Sequence, residues 1–405
     1  MKKINVLLVA VGLISPVVFA QEVTPVSIPG VQFKALSLSD YISQVRASSS
    51  AIQVRKLSAE SAISMEPLLS SAQIGPSISY SKGAYYGKTP YTPFVSPKSD
   101  TYSLSGTLEG FGKRKARESL AKAETSLAKV DVEVVSRTVE LEAVFAYIDT
   151  LRSKLQWQAV NREINRLLTL EQTADVSSAL AEQRLALENI SNDIKFFAYG
   201  MTLPLGIEVS QLPEPIGNLV VTPQEFHLKE LLSKALSSRT DILALEAQLN
   251  LAHKNLEVTK KSRNIDLSLS VWYSYTPAYV SDGTNYDKTT AYGYSVSMPL
   301  PTQNLYDGPV ISASNSRTTA EIELRNLKHK ATVEIQQAFL QYSATKRKLQ
   351  ETETTHNKKM VKAPATMEAI AESRESEMGL IDARTNHAKA LYALRWASGG
   401  YELFQ

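Results

Sequence analysis

LSLSVWYSY (267–275) sets Leu267, Leu269, Val271, Tyr273 and Tyr275 at every second position, with Ser268, Ser270 and Ser274 between them. Successive side chains of a strand point to opposite faces, so the stretch reads as a β-strand with one apolar and one hydroxylated face. Tyr292, Tyr294, Val296 and Met298 alternate in the same way with Ser295 and Ser297. Upstream, PSISYSKGAYY (76–86) does nearly the same. Each such strand runs about ten residues, the length that crosses a bilayer at a barrel's tilt, and tyrosines crowd the ends as in an aromatic girdle. The same alternation fits two hairpins of a soluble sandwich.

Closure narrows the choice. The smallest bacterial barrels have eight strands, and an open sheet edge cannot sit in lipid. Four strands in a membrane therefore require several chains to share one barrel. Leu267, Leu269, Val271, Tyr273, Tyr292, Tyr294, Val296 and Met298 are then the residues expected to face outer-membrane lipid.

Glycine and proline mark the organisation, for neither occurs from Lys113 to Tyr199 or from Gln224 to Thr276. Such stretches favour helix wherever the pattern is not that of a strand. SAIQVRKLSAESA (50–62) falls opposite TDILALEAQLNLA (240–252), and each segment runs on into an alternating strand. The repeat distance is about 190 residues, which reads as an internal duplication. Residues 21–199 form the first repeat and 224–405 the second, joined by a proline-rich connector at 200–223. Each repeat is expected to run helix, strand, loop, strand, long helix, turn, helix, with strands at about 77–86, 100–109, 266–276 and 289–299.

From Gly112 to about Gln172 no breaker interrupts the chain, predicting a helix of roughly 60 residues and roughly 90 Å. One heptad seam runs through Ala116, Leu120, Ala123, Leu127, Val130 and Val134, then Leu141, Val144, Ile148, Leu151 and Leu155. A second, offset seam runs through Ala121, Ala128, Val132, Val135, Val139, Ala143 and Ala146. Two seams imply a neighbour on each side, as in a curved palisade of helices.

The long helices must turn back. The first turn is expected near TADVSS (173–178), with Asp175, Val176 and Ser177 at the tip. For the second, arms of comparable length favour SEMGLID (376–382), with Gly379 reversing the chain and Leu380 exposed beside it, while Pro364 is the other candidate. Asp175 and Asp382, copied around a symmetric mouth, would make a ring of carboxylates that favours cations. Capping of the returning helix is the favoured reading of each, and both roles can hold at once.

The N-terminus, MKKINVLLVAVGLISPVVFA (1–20), reads as a secretory signal peptide. Without Lys2 and Lys3 the 44 basic residues become 42 against 41 acidic, so nucleic-acid binding has no support. Cysteine is absent, which excludes disulfides and thiol chemistry. The five histidines are scattered, with no metal-binding spacing, nucleophile elbow or phosphate loop. No catalytic, cofactor or metal site is expected, and the chain does not read as an enzyme.

The pattern resembles the TolC-like outer membrane efflux proteins, the channel-tunnels. The residues that carry the resemblance are RTDILALEAQLNLAHKNLEVTKKSRNIDLSLSVWYSY (239–275), LEGFGKRKARESLAKAE (108–124), AVFAYIDTL (143–151), MGLID (378–382) and ALRWASGGYE (393–402). The resemblance implies a homotrimer whose four strands per chain build a shared twelve-stranded outer-membrane β-barrel, continued across the periplasm by an α-helical barrel with coiled-coil hairpins. It implies docking at Asp175, Val176, Ser177, Gly379 and Leu380 onto a periplasmic adaptor (membrane fusion) protein that serves an inner-membrane transporter, in efflux or type I secretion. The first tip departs from the second in carrying Asp175-Val176-Ser177 where the other has glycine. The competing reading is a periplasmic structural or adhesive coiled-coil protein with soluble β-hairpins.

Overall fold

The computed structural model describes residues 33–71, 75–83, 86–88, 93–95, 98–171, 173–206, 211–281, 283–299, 304–359 and 366–400. The expected signal peptide (1–20) and Pro364 lie outside the described residues.

The first half runs β1 (Phe33–Leu36), α1 (Leu38–Ser48), α2 (Ser50–Ser70), β2 (Ser77–Gly83), β3 (Tyr86–Lys88), β4 (Pro93–Val95), β5 (Ser99–Leu108), α3 (Lys113–Leu167) and α4 (Ala174–Leu205). After β6 (Leu212–Pro215), the second half repeats the plan. It has α5 (Leu228–Ser238), α6 (Thr240–Lys261), β7 (Leu267–Thr276), β8 (Tyr279–Ser281), β9 (Thr284–Tyr286), β10 (Thr289–Ser297), α7 (Asn304–Lys359) and α8 (Met367–Ala397). The helix ahead of each first strand is broken in two, at Ser49 and at Arg239, both with extended ψ values near 120°. Neither break carries glycine or proline, so composition gave no warning of it. The β3–β4 and β8–β9 hairpins lie within the two loops.

Four strands form one antiparallel sheet in the order β10-β7-β5-β2, so the two repeats meet at β5 and β7 and leave β2 and β10 unpaired on their outer sides. The helices follow the same order. Near the sheet α3 lies between α2 and α6, farther away it lies between α4 and α8, and α7 packs on α6 and then α8. The two seams of α3 thus have neighbours on both sides. The main core sits midway, where Val144, Tyr147, Ile148 and Leu151 of α3 meet Tyr41, Ile42 and Val45 of α1, with Met201, Leu205 and Ile381.

One expectation is overturned. Gly379, expected to reverse the chain, lies inside α8, and the second return falls between Lys359 and Met367. A single glycine costs a helix interior only about 1 kcal/mol, which the packing of α8 outweighs. Leu380, expected to be exposed, is 7% exposed and packs with Leu349 and Ala383. Comparable arms do hold, α7 and α8 having 56 and 31 residues against 55 and 32 in α3 and α4. The first return arm runs from Ala174 to Leu205, longer than the stretch ending at Tyr199, and that shortfall is what favoured Gly379.

Candidate functional site

Register assigns every residue of the sheet to a face, because directly paired residues share one. On the first face Tyr292, Tyr273, Tyr102 and Tyr80 form one row across all four strands. Tyr294, Val271, Leu104 and Ile78 form the next, and Val296, Leu269 and Gly106 a third. Leu267, paired with Leu108, shares this face. Its side chains stand uncovered, with Tyr292 85% and Ile78 83% exposed. Met298, just beyond β10, is exposed too.

The opposite face is hydroxylated. Ser295, Ser270, Ser105 and Ser77 form one row, Ala291, Ser274, Thr101 and Ser81 another, and Ser297, Ser268 and Thr107 a third. Cross-strand hydroxyl pairs lace it together, Ser77 to Ser105 and Ser79 to Ser103 at 2.7 Å, Thr101 to Ser274 at 3.1 Å. Trp272 belongs to this face, opposite Gly293 and Ser103. Period-two parity in LSLSVWYSY already implies this position, but the eye follows the serines and passes over the indole.

The long helices repeat the contrast between covered and uncovered faces. Among the described residues of α3, α6 and α8 no large apolar side chain is exposed. The exposed ones lie on the outer helices: Val54, Leu57 and Leu68 on α2, Phe196 and Leu203 on α4, and Ile311, Ile322, Val333 and Leu340 on α7. Eleven residues make just over three full turns, so Ile311, Ile322 and Val333 fall in one stripe, which Leu340 extends by a heptad. Uncovered apolar faces thus flank the molecule on the two sides where β2 and β10 lack partners.

At the far end, both return helices start alike. Thr173 caps α4 by accepting the Val176 N–H at 3.4 Å, and Thr366 caps α8 by accepting the Ala369 N–H at 3.3 Å. Asp175 and Glu368 stand two residues after each cap, where a carboxylate favours the positive end of the helix dipole. The counterpart of Asp175 is therefore Glu368, not Asp382. Asp382 lies within α8, accepting from Arg152 Nε at 2.8 Å and Gln156 Nε2 at 3.1 Å. Val176 is buried against Ile164 and Leu180, while Asp175 and Ser177 are exposed.

The wall between is held by polar contacts. Glu140 of α3 takes Arg46 Nε at 2.6 Å, and Glu334 of α7 takes Arg239 Nη2 at 2.6 Å. Lys154 and Glu214 form a buried pair at 2.7 Å. Burial raises the Tyr147 hydroxyl to about 12, so it stays a donor to the Ile216 carbonyl at 2.6 Å. His387 is fully buried, its ring 5.1 Å from that of Tyr342 and neither nitrogen partnered. Burial, with Lys346 nearby, holds it below the usual imidazole range. Among the described residues no His, Asp and Glu group could hold a metal ion, and no helix is long and apolar enough to cross a membrane.

No family model and no curated protein matches the sequence. Solved structures do match. A membrane protein from Pseudomonas aeruginosa is 14% identical with a TM-score of 0.66, over 90% of this chain and 93% of its own. The CmeC outer membrane channel of Campylobacter jejuni is 14% identical with a TM-score of 0.66, over 90% and 85%. The outer membrane protein VceC of Vibrio cholerae is 17% identical with a TM-score of 0.62, over 90% and 96%. The chain has the fold of these membrane proteins, four strands continued by paired long helices.

Proposed function

We propose that the chain is one protomer of an outer-membrane channel-tunnel, three copies closing a twelve-stranded barrel that a helical tunnel extends into the periplasm. One observation carries this reading: the uncovered apolar stripes of α2, α4 and α7 lie on the same two sides as the unpaired strands β2 and β10. A single operation therefore satisfies both layers, β2 of one copy pairing with β10 of the next while α7 of that copy covers α2 and α4 of its neighbour. Such an interface is heterologous, and a heterologous contact that closes makes a ring. With four strands per copy, three copies give twelve strands, and the closed ring leaves no edge in lipid. The tyrosine row then lies at a membrane interface and the serine face lines the lumen.

Conduction is passive. The channel carries cargo outward from the periplasm. Among the fold neighbours CmeC is an outer membrane channel. By that likeness the tips at Thr173 and Thr366 meet a periplasmic adaptor coupled to an inner-membrane transporter. Efflux and type I secretion both fit such an assembly. Light scattering of the detergent-solubilised protein, corrected for bound detergent, should return three chains, and the particle should conduct ions in a planar bilayer. One or two chains, or a trimer without conductance, would refute the reading.

A further inference from the structure

We infer that Trp272 is a cargo-contacting residue of the inner barrel wall, a stacking surface for planar aromatic molecules. This rests on the channel reading above, which turns the hydroxylated face inward. In the paired register that face carries serine, threonine, alanine and glycine, and no charge. Trp272 alone offers more than a hydroxyl. A wall of serines gives a passing solute the hydrogen bonds that water already gives it, so it discriminates little. An indole gives what water does not, a flat polarisable surface whose negative π-face attracts planar rings, cationic ones most strongly.

The indole is also positioned. It reaches from β7 across β10 and covers Gly293, where an added Cβ would stand 2.7 Å from Cζ2 and 2.8 Å from Cε2. Any larger residue at Gly293 would displace it. The ring is thus packed on the wall while the residue keeps 38% exposure. Symmetry would put one indole per copy at a single height in the barrel.

The chain has three tryptophans, so Trp157→Phe with Trp396→Phe leaves Trp272 as the sole indole. In proteoliposomes its fluorescence should be quenched by aqueous acrylamide and not by brominated phosphatidylcholine; quenching by the lipid would overturn the inference. In planar bilayers ethidium, a planar aromatic cation, should block the single-channel current. Trp272→Ala should raise the half-blocking concentration roughly tenfold, about 1.4 kcal/mol, while Trp272→Tyr keeps most of the block. Should the alanine variant fail to assemble, Trp272→Leu, apolar but not aromatic, makes the same comparison. Block unchanged in an assembled variant would overturn the stacking role and leave the channel standing. A trimer without conductance would refute the channel reading and this inference with it.

Discussion

Tyr342 and Gln224 grip each other twice: the phenol donates to the Gln224 carbonyl at 2.8 Å and accepts the Gln224 N–H at 2.9 Å. Tyr147 treats Ile216 in the same way, at 2.6 Å and 3.1 Å. A tyrosine of each long descending helix thus grips the chain that joins the repeats, Tyr147 at Ile216 and Tyr342 at Gln224, just past the connector. Tyr342→Phe leaves the Gln224 amide and carbonyl without this partner, and Tyr147→Phe does so for the Ile216 carbonyl, the Ile216 amide keeping the Leu36 carbonyl at 3.1 Å; each is a loss of about 1–3 kcal/mol. Urea unfolding monitored by circular dichroism should show each variant destabilised; values within error of wild type would mean that water replaces the phenol without cost.

Leu340 is 67% exposed in the single chain, so a single-chain view makes Leu340→Asp harmless. Covered by a neighbouring copy, it should instead sharply lower trimer abundance in outer-membrane fractions. Lys330→Glu, at another exposed position of α7, should leave the trimer at normal abundance. Normal trimer from Leu340→Asp would place the contact between copies elsewhere.

Leu269 and Ser270 are adjacent in β7 and lie on opposite faces of the sheet. An arginine facing lipid costs about 2–4 kcal/mol near the bilayer midplane, whereas one facing an aqueous lumen costs little. Leu269→Arg should deplete the heat-resistant trimer and Ser270→Arg should not. Equal depletion would remove the assigned facing.

The capping geometry changes which carboxylates belong at the mouth. Asp175→Asn combined with Glu368→Gln should reduce cation over anion preference, read from reversal potentials across a salt gradient. Asp382→Asn should leave that preference unchanged, because Asp382 is bound to Arg152 and Gln156 away from the turns. A selectivity change from Asp382→Asn alone would restore it as a mouth residue.

His387 makes stability depend on pH. Its folded pKa lies below the ordinary imidazole value, so the unfolded chain binds the extra proton first as pH falls. Stability is therefore full above about 6.5 and is lost progressively below it. From α7, Lys346 opposes protonation and Glu353 favours it, while Tyr342 stacks on the ring without a charge. The thermal midpoint of wild type should fall between pH 7 and pH 5 by more than that of His387→Phe. Parallel curves for the two proteins would show that other groups set the acid limit.

Local patterning was enough to reveal the strands, the duplication and the two-sided long helix, because period two, breaker spacing and offset seams are written in consecutive residues. The need for closure was readable too, since four strands cannot satisfy their own edges in lipid. The second turn was not. Gly379 looks like a chain reversal because glycine permits one, yet Leu349 and Ala383 pack against Leu380 and keep the helix running. Asp382 looked like a partner for Asp175 until the fold set Arg152, distant in sequence, against it. Which apolar stripes remain uncovered is likewise a property of helix order: α2, α4 and α7 read much like α3 in sequence. Their exposure follows from standing at the sides of the palisade, a matter of long-range packing that no run of neighbouring residues encodes.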